Sequence, residues 1–152
     1  MNQSDQWRAS AGLMFARLCL GLLFLMGGWF KVFDIGIVTH ARDFFVTAYQ
    51  DFWIPTPLLW ILGVSIPIIE LVAGIMLILG LRIREASLMV GAVLVMVTYG
   101  HLLGDPMFPF GNHIFPRLVL LLVIMLTPAH LDAWNVDRYL SKSKTSDAPN
   151  GV

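Results

Sequence analysis

The chain has 152 residues, 57% of them hydrophobic and 13% charged, with ten basic and ten acidic side chains and a single cysteine. A mean hydropathy of +0.75 lies outside soluble composition and inside the polytopic membrane class, and the length leaves no room for a second soluble domain. Balanced charge gives no reason to expect nucleic acid as a partner, and Cys19 alone forms neither an internal disulfide nor a Cys-x-x-Cys redox pair.

After a short polar start, residues 13–33 (LMFARLCLGLLFLMGGWFKVF) form an apolar run long enough to cross a bilayer. No small-residue cleavage site follows it, so it reads as an uncleaved first span rather than a signal peptide. Arg17, Gly21, Phe24, Gly28 and Lys31 recur at spacings of four, seven, eleven and fourteen, which places them on one face of a helix.

Residues 34–56 carry Ala41, Phe44, Phe45, Ala48, Phe52 and Trp53 at steps of three and four, with Arg42, Asp43, Thr47, Gln50 and Asp51 mostly on the other side. That pattern predicts an amphipathic helix of about three turns, capped by Thr39 and stopped before Pro55. Its aromatic side suits the headgroup boundary, so it is expected to lie in the interface over the bundle mouth.

The second span, 57–81, is apolar throughout except for Glu70. An ionised side chain at that depth costs roughly 2.5–3.5 kcal/mol, so Glu70 must face protein or trapped water, either protonated or paired. Pro67 lacks an N–H and so frees the carbonyl of Gly63, where a kink is expected. Gly63, Pro67, Glu70 and Gly74 form one small and polar stripe.

A tight Arg82-Ile83-Arg84-Glu85 connection leads to a third span, 86–104. There Ser87, Gly91, Leu94, Thr98 and His101 keep the same spacing, and Gly100-x-x-x-Gly104 would admit a neighbouring backbone. A loop rich in breakers follows, with Asp105, three prolines, Asn112 and His113. The run 114–131 makes a fourth span with Pro116 in its first turn and Arg117 near the interface. Residues 132–152 begin with a short amphipathic turn and end in a polar tail expected to be disordered.

The fold class expected is therefore an all-α membrane protein, an antiparallel four-helix transmembrane bundle with an extracytoplasmic interfacial helix between its first two spans. Arg8, Arg82, Arg84, Arg138, Lys142 and Lys144 lie on the side of the termini, against Lys31, Arg42 and Arg117 on the other. The positive-inside rule then puts both termini in the cytoplasm.

Antiparallel helices bring these polar edges together. Arg17 is the first-choice partner of Glu70, across a gap of roughly 8 Å at helical rise. Lys31, His101 and Tyr99 fall near the outer mouth, close to Asp105, Asn112, His113 and Arg117. The pair of Arg17 and Glu70 reads equally as a device that fixes helix docking, and Lys31 and Arg117 as side chains snorkelling to headgroups.

As a site, a mid-membrane carboxylate with ammonium and imidazole neighbours, reached through apolar walls, suits a lipid-soluble quinone, whose reduction needs proton donors at its carbonyl oxygens. Glu70 in its protonated form, or His101, would be that donor. No haem is expected, because His40 and His113 lie in loops and His130 on the side opposite His101. No flavin fingerprint is present, and Asp105, His101 and His113 lack a metal site's fixed spacing. Electrons would have to come from a partner subunit.

The segments RLCLG (17–21), GWFKVF (28–33), ELVAG (70–74) and GLRIR (80–84), in this order, resemble the DoxX family of small four-helix bacterial membrane proteins. The resemblance covers roughly residues 13–131. The family commonly has two glycines after the glutamate, where this chain has Ala73-Gly74. The resemblance implies a bacterial inner-membrane subunit that serves a quinone-linked oxidoreductase, as in thiosulfate:quinone oxidoreductase, together with a partner subunit or as a homo-oligomer among membrane lipids. It leaves open two alternatives, an assembly factor or scaffold without catalysis and a lipid or small-molecule binding protein, because fold does not fix function.

Overall fold

A computed structural model of the chain describes residues 2–137, and every regular element among them is helical. Helix α1 (Gln3–Trp29) begins at Asn2, whose side-chain oxygen accepts the Asp5 N–H at 2.9 Å. It runs on into wide π turns, Phe30–Asp34, where the Ile35 N–H reaches back five residues to the Phe30 carbonyl at 2.9 Å. Gly36, at φ +86°, then turns the chain in a conformation that a side chain would resist.

The connector that follows consists of α2 (Ile37–Ala41) and further π turns, Arg42–Thr47. Its helix starts two residues ahead of Thr39, which makes no cap; the positive φ of Gly36 sets the start instead. Helix α3 (Thr56–Leu79) carries Pro57 in its first turn and Pro67 inside. It ends at Gly80, φ +67°, where the Leu81 N–H donates to the Met76 carbonyl at 2.9 Å and the Gly80 N–H to Leu77 at 3.2 Å.

Helix α4 (Ile83–Gly104) starts from Arg82, whose φ of +45° is the one positive value outside glycine among the described residues. The Asp137 carboxylate holds it there by accepting the Arg82 N–H at 2.7 Å. A one-turn α5 (Phe110–His113) precedes α6 (Phe115–Leu126).

Three helical stretches, Gln3–Asp34, Thr56–Leu79 and Ile83–Gly104, are long and apolar enough to cross a membrane. The fourth is shorter than the sequence suggests. Its twelve residues rise about 18 Å, and Thr127 ends it in an extended conformation because the residue before a proline, here Pro128, is forced out of the helical region. A 3-10 turn, Ala129–Leu131, follows.

The core is built on α1 against α3, with α4 packed on α3 and α6 covering α1 and α4. The two small-residue stripes legible in the sequence meet here. A Cβ on Gly28 would stand 2.8 Å from the Leu71 nitrogen and the Pro67 oxygen, and one on Gly74 would stand 2.6 Å from the Leu25 nitrogen. A Cβ on Gly21 would approach the Gly74 oxygen to 3.0 Å. The helices therefore touch backbone to backbone along this line, and only glycine permits it.

The chain after α6 is not a free tail at its start. Residues 132–137 fold back over the end of the bundle at Arg17, Gly80 and Arg82. The expected disorder of the remaining tail concerns residues 138–152, which lie outside the described residues, as do Arg138, Lys142 and Lys144.

Candidate functional site: an ion pair between two cavities

The backbone contacts of α1 and α3 fix which charges meet. Gly28 lies against Pro67 and Leu71, and Gly21 against Gly74 and Ile78, so the level of Glu70 on α1 is close to that of Gly27. Lys31 is four residues from that level, about 6 Å, and Arg17 is ten residues away on the other side, about 15 Å. The shorter gap is within a lysine's reach and the longer is beyond an arginine's.

Lys31 is accordingly the partner of Glu70, its Nζ 2.7 Å and 2.8 Å from the two carboxylate oxygens. The Glu70 side chain is 9% exposed and that of Lys31 28%. Lys31 sits at the second position of the π turns, one residue past the point where α1 widens. Of the two states the sequence allows Glu70, paired is the one observed.

The expected pairing of Arg17 with Glu70 is thus corrected. Arg17 is fully buried at the other end of the α1–α3 line, donating to Asp132 Oδ2 and to the Trp134 carbonyl, each at 2.7 Å. Gly80 leaves the room its guanidinium occupies. Asp132 is also buried, so this clasp ties the segment after α6 onto the bundle, far from Glu70.

A cavity of about 260 Å³ opens beside the Lys31–Glu70 pair, and His101, His113 and Arg117 line it as well. Five of the eight residues singled out from the sequence therefore meet at one place. The His101 ring is stacked on Phe108, with centroids 4.1 Å apart and planes 3° from parallel, which fixes it at the cavity wall. Arg117 donates to the backbone carbonyl of His113, which lines the same cavity.

The other three are elsewhere. Asp105 ends α4 and closes the next turn, its Oδ1 accepting the Met107 N–H at 2.9 Å. Asn112 is exposed on α5 and does not line the cavity. Arg17, as described, belongs to the opposite end. Among the described residues no three His, Cys, Asp or Glu side chains come together as a metal group would require.

Two contributors were not anticipated. His40 is buried, its Nδ1 3.0 Å from the Gly63 oxygen, the carbonyl that Pro67 leaves without an intrahelical donor. That oxygen only accepts, so Nδ1 donates. Directly beside it, Ala41 packs so closely that a Cβ on Gly63 would stand 2.6 Å from the Ala41 Cα. The proline defect in α3 is therefore the socket into which the connector docks.

The second contributor is an aromatic chamber of about 280 Å³ beneath the connector, walled by Phe44, Phe45, Tyr49 and Trp53, with Lys31 and His101 again at its edge. Burial pushes the Tyr49 hydroxyl above its ordinary pKa of 10.0, so at neutral pH it remains a donor. A Cβ on Gly100 would lie 3.0 Å from this hydroxyl. The glycine expected to admit a neighbouring backbone admits Tyr49 instead; of the Gly100 and Gly104 pair, only Gly104 has open space beside it.

Comparison with known proteins finds no match among curated proteins and none among solved structures. The family model described as DoxX matches residues 12–102, more than half of the chain and the part that contributes Lys31, Glu70 and His101. With three helices long and apolar enough to cross a membrane and this match over α1 to α4, the chain is a multi-pass membrane protein and belongs to the DoxX family.

Proposed function

We propose that the protein is the membrane subunit of a quinone-linked oxidoreductase, with the Lys31–Glu70 pair and His101 at the site of an amphiphile's polar ring. The observation that carries this reading is the placement of one half-buried, charge-neutral ion pair at the junction of two cavities, next to an imidazole with no hydrogen-bond partner among the described residues. Polar groups that both donate and accept, with no net charge on the pair and apolar helices around them, suit a ring whose carbonyls gain protons on reduction.

In this reading a reduced partner subunit supplies two electrons, two protons come from the outer aqueous side past Arg117 and His113, and quinone leaves as quinol. Lys31 and His101 hand the protons on, and Glu70 holds the ammonium in place. α6 with the 3-10 turn after it completes the fourth span. The connector lies at the outer interface, and the termini are in the cytoplasm of a bacterium, as the cationic Arg8, Arg82 and Arg84 favour.

The experiment is quinone reduction by the assembled native complex with Glu70→Gln. A carboxamide cannot neutralise Lys31, so turnover should fall by more than tenfold while the complex still assembles. Unchanged turnover together with purified protein free of quinone overturns the reading. A scaffold role is favoured by nothing at Gly100, whose face Tyr49 covers.

A further inference from the structure

Lys31, Val97 and His101 line both cavities, so these side chains stand between the two chambers. The chambers differ in chemistry. The polar one holds Glu70, His113 and Arg117; the other has aromatic walls and, besides Lys31 and His101, no basic or acidic side chain except the buried His40, a neutral imidazole. Ionisable side chains thus stand between a more polar compartment and a greasy one.

The aromatic chamber also has its own mouth. Trp53 is 76% exposed, and Phe44, Leu58 and Tyr99 at its edge are each more than two-fifths exposed. These residues come from the connector, the start of α3 and the last third of α4, so the opening is lateral, between the connector and α4. An apolar mouth on the flank of a membrane protein faces acyl chains.

Three donors line this chamber. Lys31 has three N–H groups and uses two on Glu70. Neither the Tyr49 hydroxyl nor the His101 ring has a hydrogen-bond partner among the described residues. Because Glu70 already cancels the charge of Lys31, the chamber offers donors without net charge. A phosphate or a fatty-acid carboxylate would find no unpaired cation there, whereas a neutral ring with acceptor oxygens would find both flat aromatic walls and donors.

We propose that the aromatic chamber beneath the connector is the ligand site, taking from the lipid side a neutral amphiphile with a planar, acceptor-bearing ring, and that Tyr49 and His101 bind its oxygens. The polar chamber behind Lys31 and His101 is then the water side and holds no ligand. This rests on the functional reading above and specifies which side of the ion pair the ring occupies.

The test uses the full chain in lipid nanodiscs with a photoreactive azidobenzoquinone bearing a short isoprenoid tail, the labelled residues being mapped by mass spectrometry. Competable label on residues 44–58 and 96–101 is the expected result. Tyr49→Phe keeps the ring and removes one donor, so it should weaken competition by an unlabelled quinone about tenfold while the protein still melts as the parent does. Competable label on Leu23, Ile114 and Arg117 would put the ring in the polar chamber, overturning the proposal and leaving the functional reading intact. Label that no quinone competes away overturns both.

Discussion

The pairing of Lys31 with Glu70, rather than Arg17 with Glu70, can be measured with a double-mutant cycle. Removing one partner of a fully buried ion pair costs about 3–5 kcal/mol, because the other charge stays behind without compensation. Here the lysine is 28% exposed, so solvent screens part of the field. Lys31→Met, which strands a carboxylate that is 9% exposed, should therefore cost about 2–3 kcal/mol. Glu70→Leu strands a lysine whose head can still turn toward water, and should cost about 1–2 kcal/mol. The double variant replaces the pair by apolar side chains of similar volume and should lie no more than about 1 kcal/mol below the parent, leaving a coupling of roughly 2–5 kcal/mol. Unfolding in mixed micelles, followed by tryptophan fluorescence, measures all four corners. The same cycle run on Arg17→Met with Glu70→Leu should be additive within about 0.5 kcal/mol, since the two lie about 15 Å apart along the helix axis. A stronger coupling of Glu70 to Arg17 than to Lys31 would refute the α1–α3 register and the site built on it.

That register was half legible in the sequence. The stripes on α1 and α3 followed from spacing alone, and that they face each other followed from the cost of leaving their charged side chains in lipid. What spacing does not give is the longitudinal offset of one helix on the next. That offset is set by where backbones touch, and a shift of a few residues exchanges Lys31 for Arg17 as the nearest cation. Asp132 had a signal that went unused. A buried arginine needs an acid, and Asp132 is the first one after the last apolar run, on the same side as the α1 start. His40 had one too. The freed carbonyl of Gly63 demanded a donor, and the connector supplies an imidazole at the right depth. The π turns at Phe30–Asp34 and Arg42–Thr47 had no such signal in the spacing. The outer residues divided for the same reason. His101, His113 and Arg117 sit on or beside helices that point into the bundle, whereas Asp105 was consumed by its own turn, a local use that competes with any site.

Two further perturbations test how α3 holds its neighbours. Gly28→Ala would set a methyl group 2.8 Å from two backbone atoms, which cannot rotate aside, so α1 and α3 must part. The expected loss is about 1–3 kcal/mol in the same unfolding assay. Gly12→Ala, with nothing within 4 Å, is the control and should gain up to about 1 kcal/mol of helix propensity. The second perturbation is pH. Burial, with some help from Lys31, holds the His40 imidazole below its ordinary pKa of 6.5, against the opposing pull of the Gly63 carbonyl and of Glu70. For a base whose folded-state pKa is lowered, the unfolded chain takes up the proton first as pH falls. The stability contributed by neutral His40 is therefore complete above 6.5 and declines below it until the folded-state pKa is passed. His40→Phe keeps a ring against Phe44, now 5.3 Å away between centroids, but it cannot titrate and leaves the Gly63 oxygen without a donor. It should cost about 1–3 kcal/mol near pH 8 and lose less than the parent between about pH 6.5 and pH 5. The other histidines are present in both proteins, so the difference between the two curves isolates His40. Curves that stay parallel over that range would mean that the connector is not held to the proline defect by this histidine.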